Sequence, residues 1–282
     1  MDDLVESCVP TQTILQTTFD AAVVIPTVLR PSLGLAVESV FRQRFAGRIQ
    51  VLIGIDKPIG DRAILEDLRR DCPANCVVSV FDPGYSTSLR NGGLHPGGCG
   101  GALRTILSYA ANSRAVAYLD DDNWFDEAHI RTLRKALTDH DFAYSSRWYV
   151  DAESGRPLCV DEWESVGPDA GVFRQRFGGF IDPNCLMLDK IKCEPALRWW
   201  CFPLPGDPLA MSEDRMVFDY LRKHHLGAAT GQATSYYVIH PQDGMHPRRL
   251  IWIQQKKATV PLNPFNYQCN TNDSPNLDKG TT

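Results

Sequence analysis

The chain has 282 residues, 43% of them hydrophobic, with 29 Lys and Arg against 34 Asp and Glu and a formal net charge of −5 at pH 7. That apolar content can bury a sizeable core, as one large domain or a domain with an appended lobe. An acidic balance without a Lys/Arg block argues against a surface built for nucleic-acid backbones, so a small molecule or glycan is the expected partner. No apolar run reaches the roughly 18–20 residues that span a bilayer, and residues 1–10 lack the basic start and apolar centre of a signal peptide, so the expected location is cytoplasmic. Nine cysteines, an odd number with no CxxC pair, read as reduced thiols rather than a disulfide framework or zinc knuckle.

Residues 1–18 are polar and without period, an N-terminal arm. The run AAVVI at 21–25, closed by Pro26 and Thr27, suits a strand buried on both faces. Pro31 then stands near a helix start, with Leu33, Ala36, Val37, Val40 and Phe41 at helical spacing. A strand at 49–56 ends in Asp56, a short amphipathic helix covers 61–70, and CVVSVF at 76–81 is a further strand. Strands separated by helices imply parallel pairing through right-handed crossovers.

Residues 91–101 hold six glycines in eleven positions and lead into a helix, ALRTILSYAANS. Backbone without Cβ atoms can approach a ligand closely, and the helix N-terminus offers free N–H groups to an anion. The stretch is neither a P-loop nor a dinucleotide fingerprint; a phosphate-contacting loop and a surface loop both fit it.

The strand at 115–119 runs straight into Asp120, Asp121 and Asp122. Three adjacent carboxylates repel one another, so a cation or a row of donors is expected to neutralise them. In an open α/β sheet that position lies where ligands gather, beyond the carboxyl ends of the strands. A helix over 125–139 follows, with Asp126 and Glu127 in its first turn. Residues 151–172 read as an insertion and 173–190 as a Gly pair and a strand. Trp199, Trp200 and Phe202 form an aromatic cluster, Ser212, Glu213 and Asp214 open a helix, and a strand at 234–240 ends in His240. Residues 261–282 are polar and turn-rich, a loose tail.

Taken together, VVIPTVLRP, the glycines ending in Arg104, LDDDNW and SED resemble a family 2 glycosyltransferase with the GT-A fold, over about residues 21–240. The resemblance implies an α/β fold with a mainly parallel, mixed sheet flanked by helices: one domain over 19–260, with a Rossmann-like nucleotide-sugar-binding half at 19–124 and an acceptor-binding half at 125–260. It implies metal-dependent, inverting, non-processive transfer of one sugar from a nucleotide sugar, UDP-linked by preference, to a hydroxyl of a glycan, lipid-linked or small-molecule acceptor. Mn²⁺ or Mg²⁺ would bridge the diphosphate, since hard cations suit carboxylate oxygens. Residue by residue, Asp122 would coordinate the metal, and Asp120 would face the ribose and donor sugar. Asp121 would be a spacer within the donor-binding triplet. Pro26, Thr27 and Arg30 match the first donor-side loop, Asp56 the acid presented to the nucleoside, and Gly100 and Arg104 the diphosphate side. Glu213 and Asp214 match the acidic pair, with Asp214 as general base, and His240 matches a strand-end histidine at the metal, with His246 as competitor. Gly178, Gly179 and Phe180 and the Trp199–Trp200–Phe202 cluster serve either the acceptor side or the core. Three departures stand out: Asn123 after the triplet, Thr105 after Arg104, and no QxxRW sequence, the last arguing against a processive synthase. A retaining enzyme, a nucleotidyltransferase and a catalytically silent nucleotide- or glycan-binding protein are the alternatives.

Overall fold

The computed structural model describes residues 5–7, 18–98, 100–207 and 212–259. The expected tail at 261–282 and most of the expected arm lie outside the described residues. Chain contacts separate a unit ending at Asp243 from one beginning at Gly244.

The first unit is built on one sheet. In chain order its strands are β1 (Val5–Ser7), β2 (Ala21–Thr27), β3 (Ile49–Ile55), β4 (Cys76–Phe81), β5 (Ala115–Tyr118), β6 (Trp124–Phe125), β7 (Phe142–Asp151) and β8 (Pro157–Val160). A separate ribbon, β9 (Gly167–Pro168) with β10 (Gly179–Phe180), comes next, then β11 (Leu186–Asp189) and β12 (Gly227–Ile239). The helices are α1 (Leu33–Phe41), α2 (Ala63–Arg70), α3 (Gly101–Ala110), α4 (His129–Ala136), α5 (Arg174–Phe177), α6 (Glu194–Leu197) and α7 (Glu213–His224), with α8 (His246–Thr259) in the second unit.

Spatial order is β1-β4-β3-β2-β5-β11-β7-β12-β6, with β8 on β7. Strands β4, β3, β2 and β5 are mutually parallel, whereas β11 runs antiparallel between β5 and β7. The result is a mixed α/β fold in which β4, β3, β2 and β5 form a parallel half, the expected class. Strand β2 is apolar without alternation because both its faces are covered. Val23 and Ile25 pack with Leu33, Val37 and Val40 of α1 and with Leu65 of α2. Ala22 and Val24 pack on the other side with Leu107 of α3 and with Val217 and Leu221 of α7. From β2 the chain winds one way through β3 and β4 and the other way to β5, so the carboxyl ends of β2 and β5 flank a topological switch point.

Several elements depart from expectation. In the segment read as an unpatterned arm, β1 pairs antiparallel with β4 and covers that sheet edge. The helix expected from 125 begins at His129, because Trp124 and Phe125 pair with Tyr236 and Ser235 of β12. Asp126 caps it from outside, accepting from the Ala128 N–H at 2.9 Å. Residues 151–172 are less an insertion than a hairpin arm, β8, that carries buried acids toward the sheet. Among the described residues no helix is long and apolar enough to cross a membrane.

Candidate active site

A cleft of about 430 Å³ opens at that switch point, within the size range of small-molecule sites. Every donor, metal and base residue expected from the sequence lines it: Pro26, Thr27, Arg30, Asp56, Gly100, Arg104, Asp120, Asp121, Asp122, Glu213, Asp214 and His240. His246 lies at the start of α8, in the second unit.

The three aspartates have different surroundings. Asp121, expected to be a spacer, is the buried one, at 2% exposure. Its Oδ2 accepts from the Thr27 hydroxyl at 2.6 Å, and its Oδ1 pairs with the Arg30 guanidinium. Burial pushes its pKa up, against the pull of Thr27 and Arg30, and the flanking Asp122 and Asp120 push it further. Thr27 also accepts from the Leu29 N–H at 2.8 Å, and Leu29 is fully buried with φ of 62°. A left-handed bulky residue is strained and persists only where its surroundings hold it; here the turn aims Arg30 back across the aspartates. Asp121 is thus the anchor of the first loop, and the reach to solvent belongs to its neighbours.

Asp122 keeps about a quarter of its side chain exposed, with Oδ2 3.6 Å from Arg30 and 3.5 Å from His240 Nε2. The His240 pKa is raised, chiefly by Asp122 and against partial burial. His240 directly follows β12, whose Val238 N–H donates to Asn123 Oδ1 at 2.8 Å. The asparagine that departs from the family pattern therefore ties the acidic turn to the histidine strand. The other departure, Thr105, donates to the Leu197 carbonyl at 2.9 Å and packs α3 against α6.

Asp120 is held from two sides. Arg104, 5% exposed and stacked 5.4 Å from the Trp200 ring, pairs with its Oδ1. Asn184 holds its Oδ2 and its main-chain N–H. Arg104 is brought there by a close approach only glycine permits. Gly100 has φ of 72°, and a Cβ on it would stand 2.8 Å from Pro26; a Cβ on Gly101 would fall 1.8 Å from the Trp200 carbonyl oxygen. Trp200 is accordingly core, 1% exposed and packed 4.8 Å from Tyr118, while Trp199 packs with Phe202 and Tyr220. Phe180 packs with Phe173 and Phe218. Asp56 is buried, its oxygens accepting from Ser86 and Thr87, so it also fixes the loop that brings Arg90 and Asn91 to the cleft.

At the start of α7, Glu213 is buried, and a Cβ on Gly97 would meet its Oε1 at 3.0 Å. Asp214 keeps a partly exposed edge in the cleft wall. Its pKa is pushed up to about 7, first by burial and then by Asp182 and Glu213, against Arg215. Ser212 does not cap this helix; its hydroxyl donates to Asp207 at 2.6 Å.

Behind the cleft lies a cluster the sequence did not reveal. Arg147 of β7, wholly buried, pairs with Asp161 and Glu164 at 2.9 Å each and with Asp182. Its guanidinium lies 3.9 Å from the Tyr237 ring centre. Burial opposes its charge, but Asp182, Glu164 and Asp161 raise its pKa well above the ordinary value. The available signal was alternation: Ala143, Ser145, Arg147 and Tyr149 all face inward on β7, and an arginine there must bring partners. Asp182 and Arg90 are likewise cleft residues the motif reading passed over.

Among the described residues no three His, Cys, Asp or Glu side chains already converge as a metal-holding group. The cleft nonetheless fits a divalent cation shared with a ligand. Seven acids line it, Asp56, Asp120, Asp121, Asp122, Asp182, Glu213 and Asp214, against the arginines 30, 90 and 104, a balance that repels a diphosphate unless further positive charge enters. Asp122, a quarter exposed in the cleft, and His240, whose buried Nε2 lies 3.5 Å from Asp122 Oδ2, place an oxygen and a nitrogen side by side, a pair that suits Mn²⁺ or Mg²⁺ completed by phosphate oxygens and water.

No family model matches the chain, and no curated protein matches it. Solved structures do. TarS from S. aureus in complex with UDP-GlcNAc is 13% identical, with 86% of this chain and 68% of that one covered and a TM-score of 0.56. The mannosyltransferase PcManGT from Pyrobaculum calidifontis, in complex with GDP-Man and Mn²⁺, is 12% identical, with 87% and 66% covered and a TM-score of 0.51. The chain shares their fold. It spans 60% of the length of a further TarS structure, at 14% identity and a TM-score of 0.54, and 40% of a longer TarS chain.

Proposed function

We propose that this chain is a metal-dependent glycosyltransferase that moves one sugar, with inversion and without processivity, from a nucleotide sugar, UDP-linked by preference, to an acceptor hydroxyl. The observation that carries the proposal is a single cleft joining the Asp120–Asp122 turn and three arginines to Asp214, a carboxylate whose pKa lies near 7, in a fold shared with proteins that bind UDP-GlcNAc and GDP-Man. Asp122 and His240 would hold Mn²⁺ or Mg²⁺, which when bound offsets the charge gathering on the departing diphosphate. Arg30, Arg90 and Arg104, which line the same cleft, add fixed positive charge. Asp214 accepts the acceptor's hydroxyl proton, the acceptor oxygen bonds to the anomeric carbon, and the bond from that carbon to the diphosphate oxygen breaks, its electron pair leaving with the diphosphate.

A thermal-shift screen of UDP- and GDP-sugars with and without Mn²⁺ tests the reading, because a ligand bound only by the folded state raises its melting temperature. A metal-dependent shift is expected, lost in Asp122→Ala and retained in Asp214→Asn. No shift with any donor would refute the proposal.

A further inference from the structure

The tripeptide Asp182-Pro183-Asn184 lies between the donor side of the cleft and the buried Arg147 cluster, and no motif drew attention to it. Residues Pro183–Cys185 form a single 3₁₀ turn, capped by Asp182, whose carboxylate accepts from the Asn184 N–H. The turn leads directly into β11, the antiparallel neighbour of β5, so it stands beside the point where the chain leaves β5 for Asp120.

Asn184 is completely buried. Its Oδ1 accepts from the Asp120 main-chain N–H at 2.7 Å, and its Nδ2 donates to Asp120 Oδ2 at 2.9 Å and to Asp182 Oδ1 at 2.6 Å. One acceptor and both amide hydrogens are therefore in use. The amide has one workable orientation, because the flipped form would set its oxygen against two carboxylates and its NH₂ against an N–H. Aspartate, though isosteric, would bring a third negative oxygen into the same place.

We infer that Asn184 is a positioning residue for the donor: it grips Asp120 by backbone and carboxylate together and so fixes where the remaining lone pairs of that carboxylate point. Arg104 occupies Asp120 Oδ1 and Asn184 occupies Oδ2, while 29% of the Asp120 side chain stays open to the cleft. An ionised carboxylate has about four acceptor directions, so the unoccupied ones are available to the hydroxyls of a ribose or donor sugar. Asp182, held behind by Arg147, keeps Asn184 from turning away. The inference rests on the glycosyltransferase reading for the identity of the ligand.

Calorimetric titration of wild type, Asn184→Ala, Asp120→Ala and the double variant with Mn²⁺ and a UDP- or GDP-sugar tests it. Asn184→Ala is expected to weaken donor binding by about ten- to a hundredfold, as loss of an outer support does at comparable sites. In the Asp120→Ala background the same change is expected to cost less than about twofold, since residues acting through one another are not additive. A full additional loss in that background would overturn the inference, because a merely structural asparagine would act independently of Asp120. Asn184→Ser, which leaves room for water, serves if the alanine variant does not fold; unfolding of both assigns Asn184 to the scaffold and overturns the positioning role. Wild-type protein that binds no nucleotide sugar removes the glycosyltransferase reading and this inference with it. Wild type that binds, with Asn184→Ala equal to it, removes the inference alone.

Discussion

Asp214 is expected to make activity and stability respond to pH in opposite directions. Its pKa of about 7 leaves half the molecules with an ionised base near pH 7, about a tenth at pH 6 and about a hundredth at pH 5. Turnover under saturating donor and acceptor should therefore fall about tenfold per unit on the acid side and level off above about pH 8. Stability moves the other way. The folded-state pKa lies above the unfolded value of 3.8, so between about pH 4 and 7 the native state binds the extra proton, and stability is lost as pH rises through that window. Discounted for the partly exposed edge of the side chain, the cost at pH 8 is on the order of 1–3 kcal/mol. Asp214→Asn keeps the shape without the charge. At pH 8 it should melt at higher temperature than wild type while losing about 10²–10⁴-fold in turnover. Urea denaturation at pH 5 and pH 8, alongside a pH–rate profile, measures both. A flat rate profile from pH 5.5 to 8, or an asparagine variant that transfers sugar at the wild-type rate, would refute Asp214 as base.

Arg147→Met should destabilise by about 3–5 kcal/mol, because it leaves buried carboxylates without their cation. Asp161 retains N–H bonds from Trp163, Glu164 and Ser165, Asp182 those from Asn184 and Glu164 the Tyr149 hydroxyl, so what is lost is the cation shared by all three, and it is read as a lower urea midpoint. Gly101→Ala should lose about 1–3 kcal/mol to overpacking against the Trp200 carbonyl and weaken donor binding as α3 shifts Arg104; unchanged melting would refute that close approach. His129 is stacked 3.8 Å from Phe125 and its pKa is lowered by burial to about 3. The unfolded state then takes the extra proton between about pH 6.5 and 3, and stability falls as pH drops, by up to about 1.4 kcal/mol per unit. Asp214 has the opposite slope over much of that range and masks it, so Asp214→Asn should expose an acid loss that Asp214→Asn with His129→Leu lacks.

The parts of this protein legible in its sequence are those whose signal is local. An unbroken apolar run such as AAVVI has no solvent-facing position, which already implies cover on both faces, and Asp120–Asp122 follow a strand of the same kind. Once the strands were placed parallel, their carboxyl ends had to form one rim, and the residues read there from short motifs do line a single cleft. What stayed hidden was decided by partners far along the chain. Which of three adjacent aspartates turns inward depends on Thr27, 94 residues away, and not on any property of the triplet itself.

The same reasoning explains Asn184, which reads as an ordinary turn residue until Asp120, 64 positions earlier, is brought beside it. It also explains Arg147, two of whose acids, Asp161 and Glu164, come from the segment read as an insertion and the third, Asp182, from the turn before β11. The motifs in this chain thus mark residues that line the cleft, whereas their supports, Asn184 in a turn and Arg147 on a strand, carry no motif. Because those supports are buried and paired, removing one disturbs the geometry of a facing group more than its presence. Variants such as Asn184→Ala and Arg147→Met should therefore change affinity and stability, whereas Asp214→Asn is expected to leave donor binding intact and act on turnover.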